Sequence, residues 1–491
     1  MKEYFYSKTR SLRINSFFSR EITLLFITLF FVLTFISCKQ SKQEKTVKNK
    51  VHLTNLTTKD KLIAITGNNA YSYFIYKGKT MGFEYELLQR LGEKLGKEIE
   101  IKVVKSIKEM IEKLKNGEGD LIAMNLTVTK ERKKILDFTE ALNKTRQVLV
   151  QRKPKNWRKL TKDKIDKILI RDPIDLEGKT VYVRHSSAYL TRLKNLSDEI
   201  GSDINIIEAD DSLSTEDLIL KVSKGEIDYT VSDENIASLN QSYLPNIDIE
   251  TKISFSQKIA WAVNKGDSLL LKKLNEWIEE LKKSKDFYIV YDRYYQQRYY
   301  YKYRRKSEYF LSRKGRISPY DEIFKKCSNN FGYDWRLLAA IAYVESQFNN
   351  NAKSWVGAIG IMQLLPETGK HYGADDLSDP EQNITAGVKY IAWLDKFWQK
   401  YIKDKNERIK FVLASYNIGF GHIVDAYNLA DKYGANKNVW FNNVENYLLK
   451  KSNKKYYTDK VVKNGYCNCI ETVNYVKDVL TKFHQYKQFT K

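Results

Sequence analysis

Glu345 is the residue best placed for proton chemistry in this chain. Leu338, Ile341, Ala342 and Glu345 fall at i, i+3, i+4 and i+7, so one helical face is apolar until it reaches a carboxylate. No Lys or Arg stands three or four residues away to neutralise it. A carboxyl held against apolar walls favours its neutral form, so its pKa rises and it can donate a proton near pH 7. The chain then turns polar at Asn349, Asn350 and Asn351, and Gly357 and Gly360 allow tight backbone and close approach to a ligand. Gln363 closes this run and Pro366 opens the next turn. Taken alone, a Glu on an apolar face is more often a structural residue paired across a core.

Glu345 does not stand alone. Glu345-Ser346, Gly360-Ile361-Met362-Gln363, Asn383-Ile384 with Gly387 and Tyr390, Ala414-Ser415-Tyr416-Asn417, and Glu471-Thr472 with Tyr475-Val476 occur in this order. Ser354 lies nine residues after the Glu and Gln363 eighteen after. In these five motifs the stretch resembles the lytic transglycosylase catalytic domain, and the resemblance implies an all-α, goose-lysozyme-like fold within the α+β lysozyme superfamily. It also implies roles. Glu345 is the catalytic acid and then base, and Ser354 orients Glu345 or the substrate's acetamido group. Gln363 and Tyr416 position sugars, and Asn417 and Tyr475 line the cleft. Asn417 has a competing structural role as a helix-end cap. Cys467-Asn468-Cys469 departs from the family, which more often has small or basic residues there. The implied reaction splits the β-1,4 bond from N-acetylmuramic acid to N-acetylglucosamine in peptidoglycan strands without water, leaving a 1,6-anhydro ring. It needs neither cofactor nor metal.

The elements that position these groups are spread over 491 residues, more than one core usually serves. The net charge of +24 suits nucleic acid, an anionic membrane or an acidic polymer. There is no zinc-finger spacing and no RNP-like motif, so nucleic acid is not indicated. Lys2, Lys8, Arg10, Arg13 and Arg20 precede an apolar run from Ile22 to Ile36, too short to favour a spanning helix. The run ends in Phe35-Ile36-Ser37-Cys38, which resembles a bacterial lipobox. Residues 1–37 then form a lipoprotein signal, and Cys38 carries the lipid. Residues 38–57 hold it on a Lys-rich tether. Lys39 after the Cys favours the periplasmic face of the outer membrane over retention at the inner one. Cys327, Cys467 and Cys469 remain. The C-x-C pair has neither zinc-finger spacing nor easy disulfide geometry, and a link from Cys327 to either stays open.

From Leu62 short apolar strands alternate with amphipathic helices, and the pattern recurs from Thr180, which argues for a two-lobed α/β domain over residues 58–296. Gly82-Phe83 with Glu86-Leu87, Thr127 with Arg132, Asp137-Phe138, and Asp228 to Asp233 carry a resemblance to extracellular solute-binding proteins for polar amino acids. The resemblance implies that Arg132 holds a ligand carboxylate and Asp233 its ammonium, so an amino acid or a muropeptide is the expected ligand. A planar guanidinium forks onto a carboxylate, which suits the first role. Ser186-Ser187 before a helix is a further candidate, with Ser187 at an anion-binding N-terminus. Residues 297–318, in the Tyr- and Arg-rich run from Tyr291 to Arg316, are expected as a basic linker, and 319–491 as the catalytic domain. Fused to an enzyme, the first domain is expected to regulate it. Two other readings compete: a hydrolytic muramidase on the same fold, and a solute receptor carrying a dead enzyme domain.

Overall fold

The computed structural model describes residues 59–311 and 315–490. The signal, Cys38 and the tether lie outside the described residues.

The first lobe contains β1 (Lys61–Thr66), β2 (Phe74–Tyr76), β3 (Lys79–Met81), β4 (Glu98–Val103), β5 (Leu121–Thr127), β6 (Leu136–Phe138) and β7 (Asn143–Thr145). Leu62, Ala64 and Ile65 are buried, and β1 runs parallel between β4 and β5. A continuous apolar run suits a strand covered on both faces. The second lobe contains β8 (Gln147–Arg152), β9 (Thr180–Val183), β10 (Asn205–Glu208), β11 (Tyr229–Asp233) and β12 (Ile247–Asp248), ordered β10-β9-β11-β8-β12. The chain returns through β13 (Gln257–Asn264) to complete the first sheet, β4-β1-β5-β13-β6, with β7 also on β13. Ser106 and Ser214 cap the helices that follow them, the latter in a full capping box with Asp217.

The Tyr/Arg-rich run expected as a linker is instead helical and packed. Helices Lys285–Tyr291 and Arg298–Lys306 flank a π turn, and Tyr294, Tyr295, Tyr301 and Arg304 are buried. Tyr294 and Arg293 bond to Glu86, and Tyr301 bonds to Asn240. The Arg304 guanidinium lies over the Phe74 and Tyr294 rings, which lets a charged side chain be buried. The run then forms β14 (Phe310–Leu311), which pairs with β2.

Beyond it the chain is helical: Asp321–Phe331, Trp335–Ser346, Pro380–Gln399, Lys405–Ile418, Phe420–Lys432 and Ile470–Phe489 are the longer elements. The molecule thus joins a two-lobed α/β part to an all-α part. The β2-β3 hairpin and β4 tie them. Tyr486 donates to Gly78 O at 3.0 Å, Gln488 to Ile101 O at 2.6 Å and Thr80 to Gln485 at 2.5 Å. Gly78 has φ +76°, and a Cβ there would sit 2.4 Å from Phe348 and 2.7 Å from Tyr343. The hairpin turn therefore presses on the segment that carries Glu345.

Candidate active site

Asp334 caps the helix Trp335–Ser346 by accepting from Arg336 N–H, and Leu337 to Ala342 are buried. Gln347 and Phe348 then adopt φ of +52° and +64°, ending the helix abruptly just past Glu345. Left-handed non-glycine residues cost free energy and collect at functional sites. Glu345 is thereby held at a helix end, where its carboxyl reaches the cleft while its backbone stays fixed.

Tyr475, from the helix Ile470–Phe489, donates its hydroxyl to Glu345 Oε1 at 2.6 Å. Burial pushes the Glu345 carboxyl up to about 7, and the Tyr475 hydrogen bond opposes this. At neutral pH the group is thus poised both to give and to take a proton. Burial also holds the Tyr416 and Tyr475 phenols well above their ordinary value, and the Glu345 charge adds to this in both. Both rings therefore stay protonated and can act as donors.

The loop of residues 352–364 lies against the end of this helix. Ser346 donates to Ile361 O at 2.8 Å, fastening the loop to the helix end beside Glu345. Asn383 is buried and accepts from Met362 N–H at 2.8 Å while its amide reaches Ile359 O and Leu377 O at 3.0 Å each. Gly360 is required by this packing: its φ is +81°, and a Cβ would sit 2.2 Å from the Asn383 amide nitrogen. Tyr416 donates to Met362 O at 2.7 Å, so its ring is fixed beside the loop. Ser354 Oγ accepts from Ala358 N–H at 2.9 Å, which leaves its proton for another acceptor. Gln363 donates to Gly360 O at 2.8 Å and Ala352 O at 3.2 Å. Asn417 is exposed and accepts from Thr472 Oγ1 at 2.7 Å, joining two helices.

Of the residues expected to act together, Glu345, Tyr475 and Tyr416 converge. Ser354 and Gln363 share one loop, where their hydrogen bonds are internal, and Asn417 clamps the helix that presents Tyr475. Ser346 and Asn383 do more positioning than their motifs alone disclosed. The contact from Tyr475 to Glu345 spans 130 residues, so no local pattern could reveal it. Cys467 and Cys469 are bonded to each other with Cα atoms 5.5 Å apart, contrary to the geometry expected of a C-x-C pair. Cys327 is buried with a free thiol.

Tyr475→Phe removes a donor to the carboxylate, so the Glu345 pKa should rise further. A group needed as an acid loses activity as pH rises through its pKa, and the alkaline limb of the pH–rate profile should therefore move to higher pH. The neutral-pH rate should fall roughly tenfold, the scale of one hydrogen bond to a charged group. An unmoved limb in turnover assays across pH would contradict the contact's role.

In the two-lobed part, Arg132 is buried between the lobes. It donates to Thr127 O at 2.9 Å and across the lobes to Ser186 O at 3.2 Å. Burial pulls its guanidinium down to about 10. Asp233, at the end of β11, is also buried. Its carboxyl is pushed up to about 7 by burial, against the Tyr189 hydroxyl and the Arg132 charge. Asn125 donates to one of its oxygens at 3.4 Å, and among the described residues Oδ1 finds no hydrogen-bond partner. Ser187 uses its hydroxyl and its N–H on Arg184 O, so both groups are engaged inside their own turn.

Residues 322–439 match the transglycosylase SLT domain, and residues 62–297 match the bacterial extracellular solute-binding proteins, family 3. The chain is 36% identical over 428 residues to membrane-bound lytic murein transglycosylase F of Desulfosudis oleivorans, covering 87% of this chain and 90% of that one. It is 32% identical over 420 residues to the protein of the same name from Photobacterium profundum, covering 84% and 77%. A crystal structure of the substrate-binding protein of an amino acid ABC transporter is 24% identical and covers 48% of this chain and all of its own, with a TM-score of 0.41.

Proposed function

Because the chain belongs to the membrane-bound lytic murein transglycosylase F family, we propose that it is a peptidoglycan lytic transglycosylase, cutting the β-1,4 bond from N-acetylmuramic acid to N-acetylglucosamine without water. Membership of this family carries the non-hydrolytic reading, and the site fits it: the Glu345 carboxyl, buried at a helix end and bonded by the Tyr475 hydroxyl, is held near neutrality. Hydrolytic glycosidases use two carboxyl groups, one as acid and one to activate water or attack the sugar. A single group with a pKa of about 7 can serve twice. Protonated Glu345 gives its proton to the leaving glycosidic oxygen as the C1–O4 bond breaks. The resulting carboxylate takes the proton of the muramic acid's own C6 hydroxyl, whose oxygen bonds to C1. Glu345 ends as it began, and no atom enters from solvent. In this reading Ser354 orients Glu345 or the acetamido group, and Gln363 and Tyr416 position the sugars. The product is lighter by one water than a hydrolysed strand end, and mass spectrometry of digested sacculi separates the two.

The name of its relatives supports association with a membrane, and a peptidoglycan substrate suits the periplasmic side. The finer reading is that Cys38 carries a lipid that holds it to the outer membrane. Metabolic labelling with a fatty acid tests this: Cys38→Ala should lose the label, and a labelled variant would contradict it.

The two-lobed part is proposed to bind a zwitterion, an amino acid or muropeptide, and to regulate the enzyme. Arg132 and Asp233 offer one charge of each sign across the cleft. The unpartnered Asp233 oxygen marks where an ammonium would gain most. The route to the active site is short, because the Gly78 turn of the first lobe abuts Tyr343 and Phe348 on either side of Glu345. Lobe closure by hinge motion can reach Glu345 through that contact.

A further inference from the structure

The helix Pro380–Gln399 has two apolar faces. Ile384, Val388, Ile391, Leu394 and Trp398 are buried and make its core face. A second set, Tyr390, Trp393, Phe397 and Tyr401, falls at i, i+3, i+7 and i+11 from the middle of the helix to just past its end. Tyr390 and Phe397 are half-buried, whereas Trp393 is 41% and Tyr401 47% exposed, and neighbouring Phe420 is 40% exposed. The rings form a ladder. Tyr390 and Trp393 lie 6.2 Å apart at 23°, and Trp393 and Phe397 6.1 Å apart at 21°. Phe420 closes the side at 5.4 Å from Trp393. The ladder begins at the active site, since Tyr390 lies 5.3 Å from Tyr416. At about 1.5 Å of rise per residue it extends roughly 16 Å from there.

Burial explains one apolar face of a helix, not two. Contiguous exposed aromatics on a soluble protein mark a binding surface. Exposed aromatic rings in succession offer apolar faces on which the C–H faces of pyranose rings can stack without needing charge. We propose that Trp393, Phe397, Tyr401 and Phe420 form an extended track for further sugars of the same glycan strand, leading away from the bond that is cut. The track continues directly from Tyr416, which favours the strand in the cleft over any separate partner. This rests on the activity proposed above and adds a determinant of strand length to it.

The test uses the full chain in a Glu345→Gln background, so that ligand is bound and not consumed. The probes are uncharged β-1,4-linked N-acetylglucosamine oligomers of increasing length, read by titration calorimetry. Affinity should rise with length in the parent. Trp393→Ala with Phe420→Ala should abolish that rise, weakening the longest oligomers roughly tenfold, on the scale of two lost stacking contacts. The shortest oligomer should bind as before. Trp393→Phe keeps a flat ring and should retain most of the gain, which separates stacking from a loss of folding. Unchanged length dependence in the double variant overturns the track. So does a variant that alters sedimentation and not glycan affinity, since the ladder would then join two copies of the chain. Turnover is scored separately on sacculi with the unmodified protein. Absence of anhydro product there, with length-dependent binding intact, would remove the activity and leave the track standing.

Discussion

Glu345→Gln is expected to abolish release of anhydro product, with a loss of at least about a thousandfold in turnover. One positioned acid or base contributes about 10²–10⁴-fold, and Glu345 is asked to be both in succession. The amide can neither donate the proton to the leaving oxygen nor accept the one from the C6 hydroxyl. It can still accept the Tyr475 hydroxyl through its own oxygen, so the pocket geometry should survive. The fold should not weaken either. Burial raises the Glu345 carboxyl from its ordinary 4.5 to about 7, so ionising it opposes folding, and a neutral isostere removes that opposition at neutral and alkaline pH. Thermal unfolding together with product analysis checks both statements. A variant that turns over at the normal rate would remove Glu345 from the chemistry.

Arg132→Ala is expected to weaken binding of a zwitterionic ligand by roughly 10–100-fold, the scale of a lost hydrogen-bonded charge pair of about 1.5–3 kcal/mol. Arg132→Lys keeps the charge but loses the fork and should fall between the two. The pH dependence has a definite sign. Asp233 titrates near 7 in the folded protein, and an ammonium needs its carboxylate form. Affinity should therefore fall as pH drops through that value, and binding at neutral pH should release protons as the ammonium draws Asp233 into its ionised form. Calorimetry of the full chain against amino acids and a peptidoglycan digest, in buffers of different ionisation enthalpy, reads affinity and proton release together. If binding also regulates, the rate on sacculi should change with ligand by an amount bounded by its preference for the closed lobes, typically about 1–3 kcal/mol. Ligand binding that leaves the rate untouched would restrict the module to recognition without control.

Much of the fold was legible because its signals are local. The strands expected to begin at Leu62 start with Lys61–Thr66, and the recurrence expected from Thr180 starts with the strand Thr180–Val183. Apolar runs and caps fix such elements within a few residues. The helix ending in Glu345 was legible for the same reason. Composition misled at the Tyr/Arg-rich run, which reads as a basic linker. Its helix buries Tyr301 and Arg304 at i, i+3, and cation–aromatic stacking makes room for the charge. The active site was legible as a set of motifs, but its division of labour was not. Tyr475 meets Glu345 only through the packing of two helices distant in sequence, and Asn417 is turned to Thr472 by the same packing. The aromatic ladder needed the structure because a period of three to four residues marks a buried face in most helices. Accessibility separates the two.

The central claim is that one carboxyl group cuts the strand with no water. Mass spectrometry of muropeptides released from purified sacculi by the full chain tests it most directly. The account predicts strand ends carrying a 1,6-anhydro ring, lighter by one water and free of label when the digestion is run in ¹⁸O-water. Reducing ends that carry ¹⁸O would show that water attacks C1, and would contradict it.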